Sequence, residues 1–173
     1  MATTLPVGLP ALRLVISDLR AELLDGPFLL RRRPVPISGD LRIAWGISLI
    51  VLILGYSRAM KASLRKLHFL AYAARTKRAR HAAMQLFEGQ RSTADFHARV
   101  EPWVVRAVAF ADASGLLAVT GGMVQLSPHG ERSFETLSAN DELLRDEKMF
   151  LARVAKAATE AAIDRALRME PIG

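Results

Sequence analysis

A chain of 173 residues and 19.0 kDa has room for one domain, or for one domain with an N-terminal arm, and is too short for a large multi-domain enzyme. Apolar residues make up 51% and charged residues 24%, with a mean hydropathy of +0.18, a balance that excludes wholesale disorder. Cysteine is absent, which removes disulfides, thiolate metal sites and thiol nucleophiles, and four scattered histidines offer a transition metal little.

The net charge of +7 is unevenly distributed. Residues 1–40 hold five arginines against four acids, and residues 89–173 hold ten basic against twelve acidic residues. Between Asp40 and Glu88 there is no carboxylate, yet nine basic residues: Arg42, Arg58, Lys61, Arg65, Lys66, Arg75, Lys77, Arg78 and Arg80. Such a field suits a polyanion or an acidic partner, and Arg58 through Arg80 are the expected contacts.

In chain order, Pro6, Pro10, Pro27, Pro34 and Pro36 punctuate an arm over residues 1–40. It contains one short amphipathic helix candidate, Leu12 to Leu24, stopped by Gly26-Pro27, and then Arg31-Arg32-Arg33 in an extended stretch. No basic n-region opens the chain, so a secretory signal is not expected and the cytoplasm is the default location. Ile43 to Tyr56 is an apolar run of 14 residues. Crossing a bilayer takes roughly 20, so this run reads as a helix in a protein core, with no membrane partner.

Nearly continuous helix is expected from Leu41 to Glu88, broken at Gly55 to Lys61 and again near Thr76. Ser63 suits the N-cap of a helix to about Ala74, with His68 on its apolar face, and a third helix spans Arg78 to Phe87. Pro102 opens the next helix, striped by Val104, Ala107, Val108 and Ala111 and stopped by Gly115. Strands Leu116 to Thr120 and Met123 to Leu126 flank Gly121-Gly122, a hairpin turn, and Ser127-Pro128 starts another helix. Three helices, a hairpin and a helix are the order of a winged helix-turn-helix domain, placed over 41–138 in a mainly α chain. Residues 139–173 read as one long C-terminal helix, from about Asp141 to Met169, with Leu144 and Leu151 on a stripe open to a partner or to the chain's own domain.

Three stretches together carry a family resemblance: Ser63 to Arg75, Gly115 to Ser133, and Glu147 to Glu160. The chain over Leu41 to Leu167 resembles the small middle component of three-component ABC systems, the Lamassu family of antiphage and antiplasmid defence. The resemblance implies a non-catalytic subunit that helps join an SMC-like ATPase, an effector that is often a nuclease, and DNA; the basic charge of the middle segment favours contact with double-stranded DNA without sequence specificity, or docking on an acidic partner.

Catalytic chemistry is missing from the residues themselves. No Gly-rich phosphate loop precedes a lysine, the histidines lack metal spacing, and Ser63, Ser114 and Ser127 have cap or turn roles. The expectation is therefore no enzyme, no cofactor and no metal. The alternative to an assembly subunit is a free-standing winged-helix transcription regulator, which would need base-reading side chains on the helix Glu101 to Ser114. Only Arg106 is available there; Trp103 and Phe110, at the margin of the core stripe, either complete the core or, with Arg106, anchor a protein partner.

Overall fold

The computed structural model describes residues 39–90, 92 and 100–167. The expected arm, with its Leu12 to Leu24 helix and its arginine triplet, lies outside the described residues.

The first helix, α1 (Gly39–Tyr56), is the hub. Its second half, Leu49 to Leu54, is apolar on every side and buried on every side, with no residue more than 1% exposed. A helix with no polar face must be covered all round. The second half of the run Ile43 to Tyr56, read from the sequence as core, is therefore core, while Ile43 at its start is exposed, and none of the described helices is long and apolar enough to cross a membrane. Ser57 ends α1, its hydroxyl donating 2.7 Å to the Ile53 carbonyl. A single 3₁₀ turn, Arg58–Met60, follows with Ala59 and Met60 in the left-handed region, and it turns the chain into strand β1 (Lys61–Ser63).

Ser63 then caps α2 (Leu64–Ala74), its Oγ accepting from the Lys66 N–H at 3.0 Å, and Thr76 caps α3 (Lys77–Phe87) in the same way. The helix α4 (Pro102–Ala113) buries the expected stripe of Val104, Ala107, Val108 and Ala111. Strands β2 (Leu117–Thr120) and β3 (Met123–Leu126) form the expected hairpin, and β1 adds to its far edge, giving an antiparallel sheet of order β1-β3-β2. Ala62 faces Val124 across one pair, and Val119 faces Val124 across the other. Ser127 caps α5 (Pro128–Ala139) while its own hydroxyl donates 2.6 Å to the Gly115 carbonyl, which ties the hairpin's exit to its entry.

The single long C-terminal helix is corrected. The chain forms a turn at Asn140–Leu144, then α6 (Arg145–Val154), a break, and α7 (Glu160–Leu167). The break has identifiable causes: the buried Lys66 ammonium takes the Ala155 carbonyl at 2.9 Å, and Thr159 Oγ1 accepts from the Ala162 N–H to cap α7. On either side of the break, Ala155, Ala158 and Ile163 are all buried in the core. The described residues thus hold seven α-helices and one small three-stranded antiparallel sheet.

Gly130, in the first turn of α5, lies where the helix meets the hairpin entry; a Cβ there would sit 2.0 Å from the Leu116 carbonyl oxygen. Because the obstacle is backbone, it cannot rotate away. Gly130→Ala is expected to destabilise the fold by about 2–3 kcal/mol in urea unfolding, through forced displacement of α5 from the sheet.

Candidate functional site

The basic run separates into two groups in space. Arg65 pairs with Asp164 of α7. Arg75 holds both oxygens of Glu101, at 2.7 and 2.9 Å. Arg80, its side chain only 12% exposed, reaches Asp146 at 2.7 Å and Glu147 at 3.3 Å in the first turn of α6, and the Ala74 carbonyl as well. Lys66 is 5% exposed, and burial pushes its ammonium below the usual lysine range, opposed by the nearby Glu160. Its inclusion in a polyanion-binding surface is therefore corrected: it closes the helix break instead. Arg58, Lys61, Lys77 and Arg78 are exposed and make no ion pair among the described residues. They lie on two elements, the 3₁₀ turn with β1 and the first turn of α3.

Three residues expected at an interface do come together. Trp103, Arg106 and Phe110 occupy one flank of α4 at spacings of three and four, and they line a cleft of about 720 Å³ against the first turns of α1. Arg42, Ile43, Trp45 and Gly46 supply the opposite wall, and Arg75 closes one side. Trp103 packs against Trp45 with ring centroids 5.3 Å apart, and its indole N–H donates 3.0 Å to Glu101. Gly46 allows that approach, since a Cβ there would meet the Trp103 ring at 3.1 Å. Trp103 is thus half core and half wall, whereas Phe110 is 52% exposed and Arg106 is exposed beside it.

The remaining two expected interface residues lie elsewhere. Leu151 is fully buried in the chain's own core and presents nothing to a partner, which corrects that expectation. Leu144 is half-buried in a left-handed backbone conformation, packed against the core, while its neighbour Leu143 is 51% exposed. Arg42 and Trp45 belong to the cleft, although the sequence marks Arg42 only as one cation of the basic segment and Trp45 only as part of an apolar run. Their spacing of three, with Gly46 following, marks one helix face.

Below this cleft, His68 on α2 accepts the Glu101 N–H through Nδ1 at 3.2 Å. Burial pushes the imidazole below its ordinary value, against a smaller upward pull from Glu101. No group of three or more metal-ligating side chains occurs among the described residues. No family model, curated protein or solved structure matches the chain.

The His68 bond carries a pH dependence. Below the unfolded histidine value of about 6.5 the unfolded chain takes up a proton that the folded chain resists, so stability falls as pH drops through that range. His68→Asn, whose amide oxygen can accept the same N–H, is expected to flatten that part of the curve between about pH 7 and pH 5 in denaturant titrations.

Proposed function

We propose that this chain is a non-catalytic assembly subunit of an SMC-like ATPase defence complex, built on a winged-helix body and held in the complex through the arginine and aromatic cleft. The observation that carries the reading is the composition of α4. Its exposed positions are Pro102, Val105, Arg106, Ala109, Phe110, Asp112 and Ala113, so the helix before the hairpin offers a single cation, a single carboxylate and otherwise apolar surface. Base reading in a major groove takes several Arg, Lys, Asn or Gln side chains on such a helix. Protein docking takes aromatic and arginine anchors with apolar surroundings, which this flank has.

The winged-helix part of the proposal draws support from the hairpin that follows α4 and from the pairing of β1 with β3. The chain departs from the simple order by carrying α3 between α2 and α4. Contact with DNA backbone falls to Arg58, Lys61, Lys77 and Arg78, exposed cations of the basic middle segment that make no ion pair among the described residues. Four such contacts would give weak, salt-sensitive, sequence-independent binding.

Co-expression with the SMC-like ATPase and effector of its own operon tests the reading. The wild-type chain is expected to co-purify with the ATPase, and Arg106→Glu with Phe110→Asp to lower recovery by at least about tenfold while the circular dichroism spectrum is unchanged. Failure of the wild type to co-purify, together with selective binding to one palindromic duplex in a gel-shift assay, would replace the proposal with the transcription-regulator reading.

A further inference from the structure

Arg65, Arg75 and Arg80 of the basic middle segment are neutralised by carboxylates of the same chain, but the outer cations of the cleft are not. Arg42 and Arg106 are exposed and make no ion pair among the described residues, and they flank Ile43 and the open ring of Phe110. Glu101, which holds Arg75, is buried and already engaged by the Trp103 indole. Arg42 also sits in the first turn of α1, the end of a helix where a cation is electrostatically disfavoured. The cleft is therefore apolar within and cationic at its rim, and its complement is an acidic segment with an apolar side chain.

Such a segment is present on the molecule. In the turn between α5 and α6, Asp141 and Glu142 are exposed, make no ion pair among the described residues, and immediately precede the 51% exposed Leu143. Asn140 fixes this turn: its Oδ1 accepts the N–H groups of Glu142 at 3.0 Å and Leu143 at 3.1 Å. The Lys148 ammonium holds the carbonyls of Leu137 and Asn140 from beneath. A turn shaped in advance loses little conformational freedom on docking.

We propose that the cleft of one copy receives the Asp141-Glu142-Leu143 turn of a second copy. This rests on the reading of the cleft as a protein-docking site and names its occupant. Leu143 packs against Ile43 and Phe110, and the two carboxylates meet Arg42 and Arg106, whose planar guanidinium groups suit carboxylate geometry. In a two-fold pair the contact is made twice, each turn entering the other copy's cleft. The subunit would then enter its complex as a pair.

Sedimentation of the full-length chain up to roughly 0.2 mM, a range that covers weak specific association, tests this. Wild type is expected to self-associate with rising concentration. Arg42→Glu with Arg106→Glu, and Asp141→Lys with Glu142→Lys, are each expected to weaken association at least about tenfold. Mixing those two variants is expected to restore it, because the reversed cleft meets the reversed turn and the native cleft meets the native turn. Restoration also excludes misfolding of either variant. A wild type that stays monomeric overturns the proposal, as does association indifferent to both variants. Loss with the cleft variant alone, or loss of duplex DNA binding by that variant in a gel shift, would assign the cleft to another acidic protein or to nucleic acid and likewise overturn it. A monomeric wild type that still captures the ATPase would remove the second copy and keep the assembly reading. Restored self-association without ATPase capture would do the reverse.

Discussion

The burial of Leu49 to Leu54 on every side of α1 constrains everything else in the described fold. An amphipathic helix needs one neighbour; an apolar cylinder needs a ring of them. α2, α4, α5 and α6 all contact α1, so elements from the middle and from the far end of the chain complete one core. Gly55 lets the Phe134 ring of α5 lie against the helix backbone, with Tyr56 meeting the same ring edge-on at 5.4 Å. Burying each of these aliphatic side chains is worth roughly 1.5–3 kcal/mol, and the hub supplies six of the 12 largest fully buried side chains.

A core assembled from distant segments explains the distribution of charge. The segment from Arg58 to Arg80 is purely basic in sequence, and the counter-charges of three of its residues are delivered by elements that pack beside it. Asp164 comes to Arg65 from 99 residues away, Asp146 to Arg80 from 66 and Glu101 to Arg75 from 26. A linear excess of one sign is thus two different things in this chain. For Arg65, Arg75 and Arg80 it reflects intramolecular pairing, and for Arg58, Lys61, Lys77 and Arg78 it is free surface. No window of sequence distinguishes them, since the distinction lies in which residues of α6, α7 and the start of α4 arrive opposite.

Local grammar was legible wherever the signal was local. Ser63, Pro102, Ser127-Pro128 and the Gly121-Gly122 turn each act within a few residues, and each stands where the sequence places it. β1 escaped because three residues with one buried alanine carry no periodicity, and the strand exists only through its pairing with β3. The break between α6 and α7 escaped for a similar reason. Alanine-rich sequence favours helix, but the Lys66 ammonium from α2 and the cap by Thr159 outweigh that preference at Ala155 to Ala158. Of the cleft, the α4 flank was readable as aromatics beside a core stripe, while the α1 wall required knowing that the two helices pack together.

Lys66 shows how a polar group can be integral to an apolar architecture. Sequence context makes it one cation among nine, yet it is buried with its ammonium on the Ala155 carbonyl at the end of α6. A helix end buried without partners would leave carbonyls unsatisfied at a cost of about 1–3 kcal/mol each. Lys148 serves the end of α5 in the same manner, bonding the Leu137, Ser138 and Asn140 carbonyls. Two lysines therefore terminate two consecutive helices, and the turns that follow them have different uses. One folds α7 back onto α2 through Glu160 and Asp164. The other presents Asp141, Glu142 and Leu143 to solvent. Terminating a helix with a buried cation leaves the following residues free of capping duty, and that freedom lets an acidic turn stand on the surface of a basic protein.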